Sequence, residues 1–146
     1  MFIVIQSRPR NGDTMILDSA AGHRRTFDAL AAFLASPERA IEVAAAGTCH
    51  LCPDYPPMRA FRMVKTGDKL HTEELPDGVL QVSGRPDLLA RYIEAFRFDP
   101  GAQDHHHPEQ RVAFIPGGLD PRSASIIVEA DDYADDPERW AADNRE

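Results

Sequence analysis

The apolar residues of this chain come only in short runs closed off by glycine, proline or charged residues, which limits it to short strands and amphipathic helices. "FIVIQS" (2–7) and "TMILDS" (14–19) have strand character and are joined through "RPRNGD", where Asn11-Gly12 suits a hairpin turn because both residues tolerate positive φ. "TFDALAAFLAS" (26–36) sets Phe27, Leu30, Phe33 and Leu34 on one helical face, and Ser36-Pro37 ends it. "AIEVAAAG" reads as a third strand, although its alanines also suit a helix. "GTCHLCPDYPPM", with three prolines, is irregular, and "RAFRMVKTGDKLHTEEL" reads as a hairpin turning at Thr66-Gly67-Asp68. "GVLQVSG" is a clear strand. It leads into "RPDLLARYIEAFRF", where Leu88, Leu89, Tyr92, Ile93 and Phe96 form a wide stripe behind Pro86, a residue suited to a first helical turn. "RVAFIPG" and "SASIIVEA" are strand-like. The sum is α+β: a mixed, largely antiparallel sheet with two main helices packed on it.

At 146 residues the chain is long enough to bury one core without staples. A single domain is expected over 1–130, followed by an acidic segment over 131–146. The order strands, helix, strand recurs in 1–66 and 67–130, as a duplication would give, without a residue-level match. No run reaches the roughly eighteen apolar residues of a membrane span. The opening "MFIVIQSRPR" has its apolar run before its basic residues, which is not the order of a secretory signal, so cytoplasmic placement is expected.

Charge narrows the choice of partner. Lys and Arg number 16 against 24 Asp and Glu, a net −8. From Ala130 onward Asp131, Asp132, Asp135, Asp136, Glu138, Asp143 and Glu146 face only Arg139 and Arg145; seven acids less two arginines leave −5 there and −3 before it. Nucleic-acid binding draws on phosphate neutralisation, and this balance argues against it. An acidic end is most simply a solubilising tail. The sharper alternative is a docking surface that steers a basic protein.

Two clusters bear chemistry. "CHLC" gives Cys49 and Cys52 the spacing that chelates zinc through two thiolates, but a closed site needs two more ligands, for which His50, His71 and the cluster His105, His106 and His107 are the nitrogen candidates. The plainer reading is two reduced thiols without metal. "DHHHPEQ" places His105 and His107 on one face of an extended segment and His106 on the other, with Glu109 on the same parity as the outer pair. That edge can hold a metal, move protons or meet a partner. No metalloprotease helix, nucleophile elbow, phosphate loop or dinucleotide fingerprint accompanies it, and Ser83, Ser123 and Ser125 have no recognisable nucleophile context. An enzyme is not expected.

The run "GVLQVSGRPDLLARYIEAFRFDPGAQDHHHPEQ" with "GLDPRSASIIVEADD" resembles small α/β immunity proteins of bacterial polymorphic toxin systems. The shared pattern is a strand ending in glycine, a helix with a G-x-x-x-L start, a His-x-His segment and a closing strand, met here by Gly84, Leu88, His105, His107, Leu119, Ser123 and Ile127. It covers roughly Gly78 to Asp132; the first half, with "CHLCP", departs from it. The resemblance implies a non-catalytic inhibitor that binds a cognate toxin, with no cofactor and no nucleic-acid or membrane partner. Expected contacts are His105, His106, His107, Glu109, Asp131, Asp132, Asp135 and Asp136, with Tyr133 and Trp140 as aromatic anchors. Trp140 can equally pin the tail to the domain. The rival class is a zinc protein or metal-dependent hydrolase built on Cys49, Cys52, His105 and His107.

Overall fold

A computed structural model describes residues 4–8, 13–46 and 57–131. In chain order the elements are β1 (Val4–Arg8), β2 (Asp13–Asp18), α1 (Ala20–Leu34), β3 (Ala40–Ala44), β4 (Pro57–Met58), β5 (Ala60–Lys65), β6 (His71–Glu74), β7 (Val79–Gly84), α2 (Pro86–Tyr92), a 3-10 turn (Ile93–Phe96), β8 (Asp104–His106), α3 (Gln110–Ala113) and β9 (Ser125–Ala130). The class is α+β, as expected. The strands divide into two mixed, mostly antiparallel sheets, ordered β4-β1-β2-β9-β8 and β3-β5-β7-β6, rather than forming one. Each contains one parallel pair, β2 with β9 and β5 with β7. Both sheets draw strands from 1–66 and from 67–130.

The β1–β2 pairing is antiparallel as read, Val4 opposite Leu17; the Asn11-Gly12 turn lies outside the described residues. The second expected hairpin is corrected. β5 and β6 flank the Thr66–Asp68 connection but do not pair, because β7 lies between them. β5 and β7 carry buried Phe61, Met63, Leu80 and Val82, whereas β6 reads His-Thr-Glu-Glu and buries only Thr72. Apolar strands take the middle and the charged strand takes the edge. The true hairpin joins β6 to β7 through Pro76-Asp77-Gly78, with Gly78 at φ +83° and its amide on the Leu75 carbonyl at 3.1 Å. That tripeptide is a turn signal the sequence carried. Pro57-Met58, read as irregular, forms a two-residue strand against Gln6 and Ile5.

α1 starts six residues before the expected Thr26. Ser19 is extended and its side chain accepts from the Gly22 amide at 3.1 Å, an N-cap that launches the helix ahead of its apolar stripe. The buried face then runs His23, Thr26, Leu30, Phe33, so two polar residues sit in the stripe. At the other end Lys65 Nζ donates to the Phe33 and Ser36 carbonyls at 3.0 and 2.6 Å, placing a cation at the negative end of the helix dipole. α2 buries Leu88, Leu89 and Tyr92, and the chain tightens into the 3-10 turn with Ile93 and Phe96 also buried.

"RVAFIPG" is not a strand. Its first part forms α3, one turn started by buried Pro108 and ended before Pro116. Only Val112 of α3 is buried; Phe114 is 67% exposed with the Arg91 guanidinium 5.5 Å from its ring centre. Gly84, the strand-ending glycine, has a steric reason: a Cβ there would stand 3.0 Å from Leu70 Cα.

One buried cluster is shared by Ile5, Ile16 and Val128 of the first sheet, Phe61, Met63 and Val82 of the second, and Leu30, Phe33, Leu89, Tyr92 and Phe96. Glu74 ties the sheets at one end, accepting from Thr14 Oγ1 at 2.5 Å and Ser7 Oγ at 3.2 Å. No helix among the described residues is long and apolar enough to cross a membrane.

Candidate functional site

The three histidines part company because β8 is extended. It pairs with β9 so that Asp104 stands opposite Ala130, His105 opposite Glu129 and His106 opposite Val128. His106 turns inward: its ring stacks on Phe98 at 4.2 Å, 4° from parallel, and Nδ1 donates to the Ala95 carbonyl at 2.8 Å. His105 is exposed and His107 half-buried, with ring centres 5.3 Å apart and planes at 87°. The His105 side chain is 57% exposed; Asp104 Oδ1 accepts from its amide at 2.8 Å and lies 4.0 Å from its Nδ1. The middle imidazole therefore anchors the strand while His105 stays exposed.

Behind Phe98 lies a fully buried imidazole, His23. The His23 ring centre is 5.3 Å from Phe98 and 5.7 Å from Phe96, and Nε2 donates to the Glu129 carbonyl at 2.6 Å. Its Nδ1 is buried without a partner among the described residues. Burial holds the pKa down to about 4, so His23 is neutral near pH 7. Nothing in the chain's local spacing announced it except its place one helical turn before Phe27.

Glu109 does not join the outer pair. The chain leaves β8 at His107-Pro108, strand parity ends, and the carboxylate turns in to accept from Ser125 Oγ and the Ile126 amide, both at 3.0 Å. It braces the start of β9. Its Oε2 is buried without a hydrogen bond, as is the nearby Tyr92 hydroxyl, whose pKa is raised by burial first and the Glu109 charge second. Glu109→Ala should cost about 1–3 kcal/mol, since it strips a buried amide and hydroxyl of their acceptor. Chemical denaturation checks this; a loss within experimental error would mean that solvent replaces the carboxylate at no cost.

The Asp131 amide donates to the Asp18 carbonyl at 3.0 Å, so the acidic segment begins one residue beyond the pairing of Ala130 with Asp104. Asp132, Tyr133, Asp135, Asp136 and Trp140 lie outside the described residues, as do Cys49 and Cys52. Among the described residues no three His, Cys, Asp or Glu side chains are grouped to hold a metal ion.

A polar cleft of about 420 Å³ went unread in the sequence. Its lining includes His71, Ser83, Asp120 and Arg122; His71 and Ser83 are cross-strand partners, and Asp120 Oδ2 stands 3.6 Å from His71 Nδ1. Arg122 grips Asp120 at 2.9 and 3.2 Å and holds its carboxyl well below the usual carboxylate range, chiefly by hydrogen bonding. The serine–histidine–carboxylate grouping lacks the tight relay of an activated nucleophile. The 3.6 Å separation exceeds a hydrogen bond, and Nε2 faces Glu73 at 3.7 Å. Reading the Pro76-Asp77-Gly78 hairpin would have put His71 beside Ser83.

Comparisons with known families, curated proteins and solved structures give no match to this chain.

Proposed function

We propose that the protein is a non-catalytic binding module, an immunity protein that neutralises a basic toxin in the cytoplasm by covering its active site or substrate groove. The observation that carries this reading is exposed His105 on the edge strand β8, with half-buried His107 just past it, beside the point where β9 runs into a segment of net charge −5. An edge strand presents unpaired backbone groups as well as side chains, and an acidic flank speeds encounter with a cationic partner. The resemblance of Gly78 to Asp132 to immunity proteins supports the same assignment.

The test is co-purification with the product of the neighbouring gene, followed by affinity measurement with His105→Ala/His107→Ala. Neither ring is buried, so stability should move by no more than ~0.5 kcal/mol while binding weakens by ~2 kcal/mol or more. A folded double variant that binds the toxin as tightly as the wild type would remove this strand from the interface.

A further inference from the structure

We propose that β3 is a self-association edge: two copies of this chain pair β3 with β3, antiparallel about a twofold at Glu42. The register decides which backbone groups are free to do this. Lys65 donates its amide to the Arg39 carbonyl and Ala45 to the Arg59 carbonyl, both at 2.8 Å. Those bonds bracket the β3–β5 ladder, so by alternation Ile41 and Val43 bond to β5 while Ala40, Glu42 and Ala44 turn their N–H and C=O away. β3 ends the second sheet, and among the described residues nothing bonds to that outward row. The other sheet edges are covered or short. Beyond β6, Leu70 bonds to Gly118 and Asp120, and the Thr72 carbonyl accepts from Ala124, all at 2.8 Å. β8 has three residues, and Asp104 takes the His105 amide; β4 has two. β3 has five, with no lysine, proline or bulge to blunt it.

The pattern on β3 is complementary to itself. A twofold at Glu42 sets Ala40 opposite Ala44 of the other copy, and Ile41 opposite Val43. The alanines leave the two backbones room to approach. Val43 is buried and Ile41 packs beside the core, so the second pair carries apolar contact across the seam. Glu42 meets its own copy, and like charges directly opposite one another resist pairing. Each carboxylate is already matched, however, with Arg62 Nη2 at 2.8 Å and Arg59 Nη1 at 3.6 Å. The twofold therefore brings together two ion-paired groups rather than two bare charges. β8 belongs to the other sheet, so this inference stands apart from the toxin reading.

The full chain alone is followed by sedimentation equilibrium and amide hydrogen exchange over a wide range of concentration. The weight-average mass should rise from one chain towards two. The amides of Ala40, Glu42 and Ala44 should slow at least about tenfold from dilute to concentrated solution, whereas those of Ile41 and Val43 should be protected throughout. Ala44→Pro removes one outward donor without touching the β5 ladder, and proline is tolerated on an edge strand. It should raise the dimer dissociation constant at least about tenfold, as should Ala40→Lys/Ala44→Lys, which keeps every amide. Thermal melts of the dilute variants establish that both fold, and His105→Ala should dimerise like the wild type. In a mixed dimer of labelled and unlabelled chains, NMR contacts should join Ala40 to Ala44, which stand roughly 13 Å apart within one strand. A chain that stays monomeric with these amides unprotected overturns the proposal, and so does a dimer indifferent to both variants. Protection that appears only when the product of the neighbouring gene is added gives the edge to that partner and overturns it as well.

Discussion

Acidification from pH 7 to pH 4 should remove about 3 kcal/mol of folding stability through His23 alone. The imidazole is fully buried between Phe96 and Phe98, and burial lowers its pKa from 6.5 to about 4. Between those values the unfolded chain holds a proton that the folded chain does not, so stability falls as pH falls. The contribution is complete above about pH 6.5, shrinks through the interval and is flat below about pH 4. Asp120 acts in a separate, lower window: its folded pKa is depressed, so its contribution is present above the ordinary carboxylate value and lost below it. The measurement is denaturant unfolding across this range for the wild type and His23→Gln, which keeps a donor for the Glu129 carbonyl without a group that titrates. The variant begins less stable because it loses ring packing, but its curve should lack the segment between pH 6.5 and 4. Parallel curves would show that His23 is not protonated on unfolding as its burial requires.

Phe96→Ala should cost about 3–5 kcal/mol, a large part of the ~5–15 kcal/mol that holds a domain together. Phe96 is fully buried at the end of the 3-10 turn, with its ring centre 6.0 Å from Phe61 in edge-to-face contact at 73° and 5.7 Å from His23. Removing it opens a cavity where the helices meet the second sheet, and neighbours fixed by backbone pairing cannot close it. The denaturation midpoint should fall with little change in slope. A double-mutant cycle with Phe61→Leu should give a coupling of about 0.5–1.5 kcal/mol from the ring pair. A single-mutant loss below ~1 kcal/mol would mean that the core refills the space.

The elements that were legible in sequence are those whose pattern is local. Leu88, Leu89, Tyr92, Ile93 and Phe96 recur at helical spacing and are buried as read, and strand alternation separates exposed His105 from inward His106. What escaped depends on contacts between distant segments or on polar residues in apolar places. His23 and Thr26 extend the α1 stripe, but a reading that looked for apolar residues began it at Phe27. Glu109 follows strand parity only while the chain is a strand, and Pro108 ends that. The middle position of β7 was hidden because neighbours in sequence were taken for neighbours in the sheet, and with it went the cleft that joins His71 and Ser83 to Asp120.

The parallel pairing of β2 with β9 also sets the order in which the molecule can assemble. All four strands of the second sheet lie within 40–84, so that sheet can form while the chain is still being synthesised. The first sheet cannot. Asp13 to Asp18 must wait for Ser125 to Ala130, and until then one edge of an apolar strand is open and the acceptor for His23 is missing. Long-range parallel pairing is slow because the intervening chain must be ordered before the contact forms, and an unpaired apolar strand is a template for other chains. A ribosome-bound intermediate lacking 125–130 therefore carries its aggregation hazard on β2, and the closing step that removes it is the arrival of the strand beside the histidines.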